Sequence, residues 1–164
     1  DQSKKFIYSF LYGAGPAKIG KVIGGTPKEG EELITRFLSN MPKLKKLRDD
    51  VLKWSKDGTI PALDGRRLHI RSPHAALNTL LQGAGAIICK QWLVHITDHI
   101  RGSGVDAKLV ASIHDEYQFE VAKKDATKFG QITKDAMKDT EKTLKVKCPL
   151  DCDFKIGTTW KETH

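Results

Sequence analysis

A chain of 164 residues can bury a real core, as one domain or two small lobes, without disulfide support. Its 28 Lys and Arg against 20 Asp and Glu give a net charge of +8, which favours a polyanionic partner. The three cysteines, Cys89, Cys148 and Cys152, lack C-x-x-C spacing and exclude a disulfide scaffold or a four-ligand zinc site, no apolar run approaches the ~20 residues that span a bilayer, and no signal-peptide pattern opens the chain. A reducing cytoplasm is the expected location.

Asp1 to Gly13 reads as the body and end of a helix, with Phe6, Ile7, Phe10 and Leu11 on an apolar face and Gly13 to Gly15 stopping it. Lys4, Tyr8 and Tyr12 are spaced by four, and each step of four overshoots a turn by only ~40°, so they share one side. Either the lysine is solvated while the tyrosines pack, or the stripe is functional. Pro16 to Ile23 allows a short helix bounded by Gly24-Gly25. Lys28 to Ser39 is amphipathic, and Pro42 opens another helix through Trp54 whose Lys43, Lys45, Lys46, Arg48 and Lys53 form a solvated face or one able to approach phosphates.

Asp57-Gly58 and Asp64-Gly65 are turn signals around an extended piece, Thr59 to Leu63, answered by Leu68 and Ile70. Arg66, Arg67 and Arg71 belong to this hairpin. From Pro73 to about Ile100 runs the longest helical pattern, apolar around most of its circumference and expected to be buried on several sides. His74, Asn78 and Gln82 form a polar stripe within it. Such a stripe either bonds to neighbouring backbone or faces a minor groove, where purine N3 and pyrimidine O2 acceptors recur at every base pair. His95 and His99 have the i, i+4 spacing of a metal pair, but no third ligand is evident and Asp98 lies on another side, so they are read as solvent-facing.

In Leu109 to Val121 the apolar residues Leu109, Ala111, Ile113, Tyr117, Phe119 and Val121 fall on odd positions, the period of a strand with one buried face. Asp115 shares that set. Because a buried carboxylate is costly to desolvate, the chain is expected to turn at His114-Asp115-Glu116 and lift Asp115 to a hairpin tip. There it is either a solvated turn residue or a cation ligand. Asp125 to about Leu144 is a charged helix expected to cover the sheet, Cys152 to Ile156 a final strand, and Trp160 an anchor for the tail.

Three segments together resemble family A DNA polymerases, the class of bacterial DNA polymerase I, and most closely the replicative polymerases of short-tailed phages. K-K-F-I-Y-S-F-L-Y-G is similar to the family's fingers-helix motif, R-S-P-H-A-A-L-N-T-L-L-Q-G-A-G-A to the phage form of the motif ending in Asn, three residues, Gln, and H-D-E to the third palm motif. The similarity extends through G-T-T-W-K-E-T-H. It implies an α+β chain: a helical fingers subdomain (residues 1–60) and the C-terminal part of a polymerase palm (residues 61–164), an antiparallel sheet with packed helices.

The chemistry so implied is nucleotidyl transfer with two divalent metals, for which Mg2+ suits the hard oxygen ligands. Primer-template DNA and deoxynucleoside triphosphates are the implied partners. The resemblance assigns Asp115 to a metal, with His114 and Glu116 shaping the site beside it. Lys4 is assigned to the triphosphate and the proton for departing pyrophosphate, Tyr8 to the incoming sugar and base, and Tyr12 to the templating base. His74, Asn78 and Gln82 are assigned to the minor groove at the primer terminus, and Arg71 with the Arg66-Arg67 turn to backbone contacts.

The chain departs from the family pattern at three points. The motif's arginine falls one position before Asp1, Ser9 replaces a glycine, and the first palm motif, with its essential aspartate, is absent. Tyr8 is the hydroxyl-bearing choice at a Phe-or-Tyr position, which implies readier acceptance of 3′-deoxy terminators. The expectation is therefore a portion of a longer polymerase, inert alone and needing an N-terminal part that carries the other carboxylate; if phage-encoded, it works in an infected cell. A single-subunit RNA polymerase shares the His-Asp pair but has Met-Thr where this chain has Tyr8-Ser9. A non-catalytic DNA-binding module also fits the charge.

Overall fold

In the computed structural model, which describes residues 2–163, the chain is α+β and divides into two compact units, one ending at Ala84 and one beginning at Gly85. Helices dominate, with two separate two-stranded antiparallel sheets.

The first unit opens with α1 (Gln2–Leu11), which buries Phe6 and Phe10 and ends where Gly13 takes φ 81°. Both rings meet Phe37 edge-on, at centroid distances of 5.2 and 5.3 Å. Next come α2 (Pro16–Ile23), α3 (Pro27–Asn40) and α4 (Pro42–Trp54), each with proline in the first turn, where its missing N–H costs no helical bond. The third helix begins one residue before the expected Lys28, because Thr26 and Glu29 form a reciprocal cap: Glu29 N donates to Thr26 Oγ1 at 3.3 Å, and Thr26 N to Glu29 Oε2 at 2.6 Å. Ile19 is fully buried with Phe6, Phe10 and Leu38; such burial contributes about 1.5–3 kcal/mol per large apolar side chain.

What lets α2 and α3 meet is the absence of side chains at Gly20 and Gly30. A Cβ at Gly30 would lie 2.2 Å from the Pro16 carbonyl oxygen and 2.6 Å from the Gly20 nitrogen, both backbone atoms that cannot swing aside. After α4, a hairpin pairs β1 (Thr59–Pro61) with β2 (Arg67–His69), and Val51, Ile60 and Ala76 form a second small core.

One helix, α5 (Ala76–Ser103), begins in the first unit and ends in the second. It is less enclosed than its composition predicts: Leu81 is 38% exposed and Val94 51%. In the second unit Trp92 and Ile96 of this helix are buried together with Val105, Phe129, Ile132, Ala136 and Met137, and Ile87 is buried outside that cluster. The strands β3 (Ala107–Ile113) and β4 (Glu116–Val121) form the expected hairpin, followed by α6 (Ala126–Leu144) and a short α7 (Trp160–Thr163).

Three expectations for this unit need correction. The odd-numbered residues do not share one buried face, because a bulge at Val110 shifts the register from Leu109↔Phe119 to Ala111↔Gln118, and Leu109 is left 44% exposed. Cys152 to Ile156 joins no ladder: Asp153 to Gly157 lines, with β4, a cavity of about 320 Å³, and Phe154 packs on Gly130 of α6 instead. His95 and His99 are not solvent-facing. They are partly buried against α6, His95 Nε2 lying 3.0 Å from Thr143 Oγ1 and His99 Nε2 3.0 Å from Asp139 Oδ2.

Gly30→Ala should lower unfolding free energy by about 2 kcal/mol, as overpacking against fixed backbone does. Gly85→Ala, inside α5 with nothing within 4 Å of its new Cβ, should raise it by about 1 kcal/mol through helix propensity. Urea unfolding of the two variants checks the contrast.

Candidate nucleotide and acidic-turn sites

The first unit brings the two four-residue stripes together. Tyr8 and Tyr12 are 51% and 56% exposed, so they do not pack inward; their rings stack at 6.4 Å, and the Lys4 ammonium stands 5.9 Å from the Tyr8 centroid. Lys4, Lys5, Tyr8, Ser9 and Val22 line an open depression. Gln82 Nε2 donates to Tyr12 Oη at 3.2 Å. A second contact ties the same elements, since a Cβ at Gly13 would lie 2.4 Å from the carbonyl oxygen of His74. His74 stands in a 3-10 turn (Pro73–Ala75) ahead of α5 and is exposed, as is Gln82, while Asn78 between them is partly buried.

The hairpin arginines divide. Arg66 is paired with Asp64 at 2.6 Å and holds its carboxyl below the usual range, Arg67 donates to the Thr59 hydroxyl, and Arg71 is exposed beyond β2. Arg66 and Arg67 are thus engaged within the hairpin, while Arg71 lies exposed beyond it.

In the second unit Ile113 pairs with Glu116, leaving His114 and Asp115 as a two-residue turn with both side chains exposed. His114 takes φ 52°, a left-handed conformation that costs a non-glycine residue about 1–2 kcal/mol. Glu116, the first residue of β4, accepts from Gln118 Nε2, and Gln118 Oε1 in turn lies 3.2 Å from the Thr163 hydroxyl. Cys89, on α5, is held above the usual thiol range, first by burial and then by the negative charge of Asp115. Tyr117 is raised as well, chiefly by burial. Among the described residues no group of three or more His, Cys, Asp or Glu could close around a metal ion, so Asp115 offers one carboxylate and no cage.

A family model for family A DNA polymerases matches residues 1–162. The chain belongs to DNA polymerase family A. It is 38% identical to the DNA-directed DNA polymerase of Enterobacteria phage T3 and 36% to that of Escherichia phage T7, in each case over the whole chain and 26% of the relative. It is 24% identical to DNA polymerase I of Geobacillus stearothermophilus over 97% of the chain and 19% of the relative. The chain therefore spans about a quarter or less of the length of these family A relatives. Its fold matches the POL domain of Pol1 from M. smegmatis, solved in complex with DNA primer-template and dNTP, with a TM-score of 0.77 and 22% identity over 93% of this chain and 28% of that one. No helix among the described residues is long and apolar enough to cross a membrane.

Cys89 carries no motif that singles it out in sequence, and only folding brings it within the field of Asp115, as it brings Thr163 to Gln118. Because the Asp115 charge helps keep Cys89 protonated, Asp115→Asn should let that thiol ionise at lower pH. Alkylation of Cys89 at mildly alkaline pH should then accelerate relative to the exposed Cys148, as peptide mass mapping of the two sites would show.

Proposed function

We propose that this chain supplies the fingers (residues 1–60) and the C-terminal part of the palm (residues 61–164) of a template-directed DNA polymerase, which adds deoxynucleotides to a primer 3′ end. The observation that carries the reading is the meeting of the Lys4-Tyr8-Tyr12 ladder with the His74-Asn78-Gln82 stripe through the Gln82–Tyr12 hydrogen bond, in a family A chain. One stripe offers an ammonium and two exposed aromatic faces, which suit a triphosphate, a sugar and bases. The other offers neutral hydrogen-bonding groups, which suit the acceptors common to all base pairs and so report pair geometry more than sequence.

In this reading the Lys4 Nζ binds the triphosphate and holds the proton that the departing pyrophosphate takes. Tyr8 packs on the incoming sugar and base, and Tyr12 lies by the templating base. His74, Asn78 and Gln82 orient the primer terminus from its minor groove, and Arg71 takes a backbone phosphate. Asp115, at the exposed tip, would hold a divalent cation, with His114 and Glu116 shaping its surroundings. A single carboxylate fits magnesium, which keeps waters and substrate phosphates among its ligands and needs only one or two from protein. When bound, the metal supplies Lewis acidity at the primer hydroxyl and the phosphate oxygens.

The second carboxylate is assigned to an N-terminal part of the same polymerase, and the 164 residues alone are inert. If phage-encoded like the relatives it resembles, such an enzyme would work in the cytoplasm of an infected cell. In the full-length polymerase, Asp115→Asn should reduce primer extension by about 10³-fold, the scale of losing a charge-stabilising group, with DNA affinity unchanged. Undiminished extension would sink the reading. Salt-sensitive DNA binding by the unaltered protein without extension would favour a binding module, and extension by ribonucleotides only would favour an RNA polymerase.

A further inference from the structure

The hydrogen bonds beneath the acidic turn form a directed chain. Glu116 and Gln118 are two apart on β4 and therefore share a face of the strand. An ionised carboxylate only accepts, so the end of the Gln118 amide that faces Glu116 must be the nitrogen. The amide oxygen then points the other way, toward the Thr163 hydroxyl at 3.2 Å. Thr163 has a single hydroxyl hydrogen and a second acceptor in reach, the Trp160 carbonyl at 3.1 Å. With one hydrogen for two acceptors, the hydroxyl is divided between the Gln118 amide oxygen and the Trp160 carbonyl, and its bond to Gln118 links β4 to α7.

The far end of that chain is itself fastened. Glu162 Oε2 accepts from Thr159 N at 3.3 Å and from Thr158 Oγ1 at 3.1 Å, capping α7, and a Cβ at Gly157 would lie 2.6 Å from Glu162 Cβ. Thr163 and Gln118, both partly buried, hold one another, and Gln118 Nε2 in turn donates to the Glu116 carboxylate.

We infer that Gln118 is a positioning residue: it holds the Glu116 carboxylate beside Asp115, and the C-terminal helix holds Gln118 through the Thr163 hydroxyl. This rests on the polymerase reading of the acidic turn. Gln118 touches no substrate, and its effect on the reaction passes through Glu116. Losing one hydrogen bond to a charged group corresponds to roughly ten-fold in rate.

In the full-length polymerase, Gln118→Leu should lower kcat about ten-fold while leaving the KM for deoxynucleotide unchanged. Thr163→Val should lower kcat less, Thr163→Ser should restore it, and the Gln118→Leu/Thr163→Val double variant should be no slower than Gln118→Leu, because Thr163 acts through Gln118. Independently of catalysis, the Gln118 side-chain amide resonances of the 164-residue chain should shift on Thr163→Val. Unchanged kcat in Gln118→Leu, additive losses in the double variant, or an unmoved amide resonance would each overturn the positioning role while leaving the polymerase reading intact. A full-length protein that fails to extend primers, or extends them undiminished after Asp115→Asn, would instead bring down the polymerase reading and this role with it.

Discussion

Trp92 is the residue through which the second unit is tied, because its large apolar body and its single donor must be satisfied in different places. The ring, 8% exposed, packs at 5.3 Å from Tyr117 of the hairpin, and Nε1 donates at 2.8 Å to the carbonyl of Thr133 on α6. The same carbonyl oxygen receives the Cys152 thiol at 3.6 Å. One indole thus sets the spacing of α5, β4 and α6, and the shared carbonyl draws in the chain beyond α6. The hairpin that displays Asp115 has no fully buried residue of its own, so its position depends on what Tyr117 and Phe119 pack against.

The first unit solves a related problem by helix phase. The centre of the Phe6-Phe10 pair lies about 180° around α1 from the centre of the Lys4-Tyr8-Tyr12 ladder, so burying one set presents the other outward. The inner pair is fixed by ring contacts with Phe37, and α3, which carries Phe37, is fixed against α2 by backbone contact at Gly20 and Gly30. A rigid inner face is what makes an exposed aromatic ladder useful, since stacking on a mobile side chain would have to order it first.

Much of this was legible because it rests on local signals. Prolines mark the starts of α2 and α4, Gly13 marks the end of α1, and an unburiable Asp115 marks the hairpin turn. The missed features depend on chain segments far apart in sequence. A bulge at Val110 leaves the odd-even alternation intact in sequence while changing which residues face each other, and the α6 partners of His95 and His99 lie 40 or more positions away. Gly20 and Gly30 look like ordinary helix glycines until the helices cross. Capping by Thr26 and Glu29 was readable, since Ser or Thr followed three residues later by Glu is the signature of that cap.

The contact between Gln82 and Tyr12 is one that can be exchanged at small cost. Both groups are neutral and exposed, so exchanging their hydrogen bond for one to another neutral acceptor replaces like with like, at a net difference of about 1 kcal/mol or less. Had Gln82 been anchored to a buried carboxylate, recruitment would cost more, because a charge would lose its partner. Gln118 sits in that opposite arrangement, partly buried and bound to Glu116. Two glutamines in one chain therefore suit opposite tasks: the loosely held amide at position 82 can change partners, and the charge-anchored amide at 118 is built to keep its own.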